Sequence, residues 1–211
     1  MGYLNTKLYK HQFFDYILLV EDRLSKKYLE CTLSEIFELN IPRYEIITIG
    51  GADKVFEINR ENKIYKYFGD AKIISIPDED KKDKFKEYKD HKFIEIYIPV
   101  EKNIEDFIYK KYKMNDNKFV SQFEEFVNKK YYRGTLNSFK KIYEEKTAKN
   151  FFKDIGCQIA RETKNPINET IEIFLSNEIT TDLVEFIFTY TNMSNEFKSF
   201  KGKLKSFFDE N

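Results

Sequence analysis

Four short apolar runs, spread through the N-terminal half, constrain this chain more than any other feature of it. They are Phe13–Val20 (FFDYILLV), Tyr44–Ile49 (YEIITI), Ala71–Ile76 (AKIISI) and Phe93–Ile98 (FIEIYI). Each has the length of a strand, and unbroken apolar runs of that length suit strands buried on both faces. Between the first two, Ser25–Leu39 sets Tyr28, Leu29, Thr32, Leu33, Ile36 and Phe37 at helical spacing. Asp53–Phe68, with Val55, Ile58 and Tyr65, predicts a second helix, and Lys81–His91 a short charged one. Strands that alternate with helices in this way predict an α/β fold: a mostly parallel four-stranded sheet flanked by helices. Gly50-Gly51 marks a tight turn after the second strand. No GxxxxGK[ST] frame surrounds it, which argues against a phosphate loop.

From about Glu101 the pattern changes. Ile104–Tyr112, Lys118–Lys130, Leu136–Lys149, Phe151–Glu162, Ile167–Leu175 and Asp182–Tyr190 all read as helical. The expected organisation is a sheet domain over 1–112 and a C-terminal helical region over 113–211 packed on it. An apolar content of 41% supplies a core. Lys plus Arg equals Asp plus Glu at 36 each, so net charge gives no argument for nucleic acid, and only its distribution could. Cys31 and Cys157 lack metal-ligand spacing and read as reduced thiols. With only His11 and His91 besides, a zinc site or a His-based triad is hard to assemble. No apolar run approaches the ~20 residues a bilayer span needs, and no signal core follows the N-terminus. The sequence therefore predicts a cytoplasmic protein without a membrane partner.

In a parallel sheet, sites form beyond the carboxyl ends of the strands. Glu21 follows the first strand there, and Asp78 and Asp80 follow the third. Two residues apart in extended chain, Asp78 and Asp80 aim to one side. Three carboxylates from two strand ends repel one another unless a cation joins them. Their oxygens are the ligands that Mg²⁺, or Mn²⁺, takes. Taken singly, each of these acids would read as a helix N-cap or a solvated turn residue. Their order along the chain is what favours a site.

The segments Ile17-Leu18-Leu19-Val20-Glu21, Ile49-Gly50-Gly51 and Ile73-Ile74-Ser75-Ile76-Pro77-Asp78-Glu79-Asp80 together resemble the Toprim domain. The likeness is closest to OLD-type and related defence-associated Toprim nucleases. It implies a Mg²⁺-dependent endonuclease acting on DNA or RNA, with Glu21, Asp78 and Asp80 as catalytic and metal-holding residues. After the fourth strand, Glu101-Lys102-Asn103-Ile104-Glu105-Asp106-Phe107 resembles an acidic motif of that group, which implies Glu105 as a fourth metal ligand. The group also uses a lysine in its helical region, for which Lys149 and Lys146 are the candidates. Its members carry a fused ATPase. None is encoded here, so the likeness implies a separate ATPase partner in antiviral defence.

The chain departs from the Toprim pattern at Asp22, where a Gly is usual, and at Ser25, where an Asp is frequent. Those departures leave a second metal in doubt. They also keep open a rival reading, a non-catalytic Toprim-like module kept for binding or regulation. Away from the acids, Lys129-Lys130-Tyr131-Tyr132-Arg133 is compact enough to serve as a nucleic-acid-binding patch. The aromatic-rich stretch Phe186–Phe208 reads equally as a partner-binding surface and as ordinary core, and a homo-oligomer is kept open without residues assigned to it.

Overall fold

The computed structural model describes residues 14–37, 42–51, 53–54, 71–87, 96–131, 147–163 and 167–209. Most of the expected helix Asp53–Phe68, most of Leu136–Lys149 and the start of the fourth strand lie outside these residues. The chain divides into two compact units, Met1–Pro99 with Thr191–Asn211 and Val100–Tyr190. Thr191–Asn211 thus belongs with the sheet, and Val100–Tyr112 with the helices that follow it.

In the first unit, β1 (Tyr16–Val20), β2 (Tyr44–Thr48) and β3 (Lys72–Ser75) form a parallel sheet in the order β2-β1-β3. Leu18 stands opposite Ile46 on one side and Ile74 on the other. Being central, β1 is enclosed on both edges and both faces, and Ile17, Leu18, Leu19 and Val20 are all fully buried. Burying one such side chain is worth about 1.5–3 kcal/mol, which explains the unbroken apolar run. Among the described residues the sheet has three strands, and the start of the expected fourth run lies outside them. Ile98 joins only through an isolated parallel bridge to Asp78, its N–H donating to the Pro77 carbonyl at 3.0 Å.

Helix α1 (Arg23–Ile36) follows β1 at once and buries Leu24, Tyr28, Leu29, Thr32 and Leu33. After β3 a 3-10 turn over Glu79–Lys81 leads into the short α2 (Lys82–Glu87). The C-terminal α7 (Asn195–Asp209) belongs to this unit and buries Phe197, Phe200, Leu204, Phe207 and Phe208. Phe208 packs on Tyr16, Phe37 and Tyr44 with ring centroids 4.7, 5.0 and 6.3 Å away, and its carbonyl accepts the Tyr16 hydroxyl at 2.8 Å. Lys201 pairs with Glu35 of α1 at 2.5 Å. The aromatic tail from Phe197 onward is thus core of the sheet unit.

The second unit holds α3 (Ile104–Lys113), α4 (Asn117–Tyr131), α5 (Ala148–Thr163) and α6 (Glu169–Thr191), whose last residue counts with the first unit. Tyr112, Phe119, Phe123 and Phe151 form its aromatic centre, with Tyr112 5.2 Å from Phe151 and 6.0 Å from Phe123. The sequence reads two helices over 167–190, yet α6 is continuous. Its polar middle is accommodated because Thr180 and Thr181 each donate to the Asn177 carbonyl at 3.0 Å, while Ser176 donates to the Lys153 carbonyl of α5 at 3.3 Å. Among the described residues, no helix is long and apolar enough to cross a membrane.

Candidate active site

Strand order decides where a site can form. The chain runs from β1 to β2 on one flank and then to β3 on the other, so the topological switch point lies beyond the carboxyl ends of β1 and β3. Glu21 and Asp78 stand at that point. The Glu21 backbone is tied to the β2 side, where Gly50 donates its N–H to the Glu21 carbonyl at 2.8 Å. Gly50 has φ +83 and Gly51 φ +139, conformations that favour glycine, which accounts for the Gly-Gly pair. On the β3 side the Glu21 carboxylate reaches across, Oε1 accepting the Asp78 N–H at 3.2 Å.

Asp78 is 8% exposed and Ser25 is 1% exposed, and the Ser25 hydroxyl donates to Asp78 Oδ1 at 2.8 Å. Asp22 takes another job. Its Oδ1 accepts the N–H groups of Leu24 and Ser25, each at 2.9 Å, capping α1. Asp22 and Ser25 therefore each have a local role: Asp22 starts the helix, and Ser25 holds Asp78 through a neutral donor. Asp22→Ala is expected to cost about 1 kcal/mol of stability, read by urea denaturation, and to lower any cleavage far less than substitution of Asp78 does.

Asp80 follows in the 3-10 turn, where Lys81 Nζ lies 2.7 Å from its Oδ2. Neighbouring Lys82 pairs with Glu79 and sits 4.8 Å from the Tyr97 ring centroid. Burial raises the Glu21 pKa above its ordinary value; the Asp78 N–H and Lys81 oppose the rise, and the Asp80 and Asp22 charges add to it. Burial lowers the Lys81 pKa, and the outcome is nonetheless a rise, because Asp80, Glu21 and Asp78 hold the ammonium charged.

Among the described residues, no group of three or more His, Cys, Asp and Glu side chains has the arrangement of a metal centre. Mg²⁺ does not require one, since it is commonly held by one or two carboxylates, with waters and substrate phosphates completing the octahedron. Glu21 and Asp78 are linked at the switch point through the Asp78 N–H, which donates to the Glu21 carboxylate. Asp80 stands two residues on with its charge engaged by Lys81.

The remaining sequence-predicted residues fall in the second unit. Glu105 is half-buried in the first turn of α3, and Lys149 is exposed at the start of α5. Lys129 is exposed on α4. Lys130 pairs with Glu185 at 2.5 Å and Asp182 at 3.8 Å, and the Tyr131 hydroxyl donates to Asp182 at 2.9 Å. Those two side chains tie α4 to α6, so of the compact basic patch only Lys129 stands without such a tie among the described residues. Lys146, Tyr132 and Arg133 lie outside the described residues. The residue that sequence reasoning passed over is Lys81, and its signal was a cation directly after the paired aspartates.

No protein-family model matches this chain, and neither a curated protein nor a solved structure matches it.

Proposed function

We propose that this chain is a Mg²⁺-dependent nuclease of the Toprim type, built around one metal position on Glu21 and Asp78 with Asp80 beside it. The observation that carries this reading is the meeting of Glu21 with Asp78 at the β1/β3 switch point. In this reading Ile98, bridged to Asp78, belongs to the fourth strand of a Toprim sheet. A metal held there supplies the Lewis acidity that polarises a phosphoryl oxygen and activates water. The chain's own residues do the rest. Ser25 fixes the Asp78 carboxylate in one orientation. Asp78 in turn orients Glu21 through its N–H. Burial raises the proton affinity of Glu21 in the metal-free protein.

The substrate of this reading is DNA or RNA in the cytoplasm, and by likeness to the OLD nucleases a separate ATPase is the partner. The second reading, a non-catalytic Toprim-like module, is favoured by the Asp80–Lys81 pair, which neutralises one acid without any metal. Incubating purified protein with plasmid DNA and structured RNA separates the two. The expected result is strand cleavage with Mg²⁺ or Mn²⁺ that stops on chelation. Absence of cleavage under all metal conditions, together with absence of divalent binding by calorimetry, establishes the second reading.

A further inference from the structure

We infer that the pocket between residues 96–99 and α7 holds one pyrimidine base of a single-stranded nucleic acid. This rests on the nuclease reading above for the class of substrate.

The pocket lies wholly within the sheet unit and has a volume of about 160 Å³. A cavity of ~150 Å³ takes up one benzene ring, so this one suits a single six-membered ring and is small for a fused purine. Its lining combines apolar and polar groups as ligand pockets do. Ile96 and Phe200, 1% and 4% exposed, supply the apolar floor. Half-buried Tyr97 supplies an aromatic wall. Lys82 Nζ lies over that ring, 4.8 Å from its centroid, so the ring has a face that a planar group can take in the ammonium's place. Unpaired bases are commonly held by stacking on aromatic side chains in this way. The charged lining is balanced, with Lys82 and Lys203 against Glu79 and Glu196. A bare anion would meet as much negative charge there as positive. A pyrimidine is neutral and presents donors and acceptors on one edge, which carboxylates and ammonium groups answer together. Glu79 stands between Asp78 and Asp80 and opens the 3-10 turn, so a base in the pocket adjoins the acids of the proposed site. Lys82, displaced from the ring, is then free to meet the phosphate of the bound nucleotide.

Binding measured in EDTA tests this apart from cleavage. The probes are short DNA strands of abasic sites that carry one thymine, one adenine or no base, so that all three present the same phosphates. The chain has no tryptophan, so Tyr97→Trp keeps an aromatic wall and adds one indole whose fluorescence reports stacking. The thymine strand should quench that fluorescence saturably, the adenine strand should do so only at higher concentration, and the abasic strand should not. Fluorescence anisotropy with labelled strands should show the thymine strand binding at least about fivefold more weakly to Tyr97→Ala than to wild type, the low end of what stacking one base contributes. Ser199→Phe fills the pocket from an exposed position and should weaken binding to the same extent. Ser206→Phe, exposed on α7 but outside the pocket, should bind as wild type does. Equal or absent binding of the thymine and abasic strands, or unchanged binding by Ser199→Phe, overturns the pocket. Equal binding of thymine and adenine overturns its choice of a pyrimidine. Mg²⁺-dependent cleavage beside any of these results leaves the nuclease reading standing. Thymine-dependent binding without cleavage under any metal condition overturns that reading and leaves the pocket standing.

Discussion

Glu21→Gln and Asp78→Ala are each expected to lower metal-dependent cleavage at least about a hundredfold, more than loss of an outer-shell group costs, and to move stability in opposite directions. In the proposed reading the loss of cleavage follows from removing one of two carboxylates assigned to the metal, on residues linked by the Asp78 N–H to Glu21 bond. The stability effects follow from what each carboxylate does in the metal-free protein. Burial raises the folded-state pKa of Glu21, so the folded protein holds that proton more tightly than the unfolded chain does. Stability therefore falls as pH climbs from the ordinary carboxylate range through the raised folded value, and the deficit is fully present above it. Glutamine carries no such charge. Metal-free Glu21→Gln should melt above wild type at about pH 7, with the gap closing towards about pH 4. Asp78→Ala does the reverse. It leaves the buried Ser25 hydroxyl without its acceptor, a loss of about 1–3 kcal/mol. Cleavage equal to wild type in either variant would remove these residues from the chemistry. A lower melting temperature for Glu21→Gln at neutral pH would show that its carboxylate is not strained by burial.

The parts legible in the sequence are those set by contacts near in the chain. FFDYILLV announced β1 because a central strand needs an apolar residue at every position, and Gly50-Gly51 announced a turn because both residues adopt positive φ. The positions of Glu21 and Asp78 beyond their strands followed from alternation alone. Their direct meeting did not, since it depends on β3 lying beside β1 on the side away from β2. Periodicity also shows that a face is apolar without showing what covers it. Phe208 lies on Tyr16, 192 residues earlier, and nothing local in either segment marks the pairing. Lys130 and Tyr131 illustrate a related point. Nothing in the basic and aromatic run announces that Asp182 and Glu185 of a later helix pair with it.

The same substitution, glycine to alanine, is expected to act with opposite sign at two helix positions. Gly202 lies within α7, where an added Cβ meets nothing within 4 Å. Ala there should stabilise by up to about 1 kcal/mol, the difference in helix propensity. Gly156 lies within α5, and its Cβ would stand 2.8 Å from Ser176 Oγ, 2.9 Å from the Ser176 carbonyl oxygen and 2.9 Å from Thr180 Cγ2. Both neighbours are buried on α6, and Ser176 donates across to the Lys153 carbonyl. A hydroxyl can rotate away, but a helix carbonyl cannot, so α5 and α6 must separate. Overpacking of this kind costs about 1–3 kcal/mol, which outweighs the propensity gain and leaves Gly156→Ala destabilised. Gly156→Val adds two methyl groups at the closest point and should cost about 3 kcal/mol or more, a large share of the ~5–15 kcal/mol that holds an ordinary domain folded. Urea melts should show a lower midpoint with unchanged slope for Gly156→Ala and a higher midpoint for Gly202→Ala. If both alanine variants gained stability equally, α5 and α6 would not approach as closely as the Gly156–Ser176 contact requires.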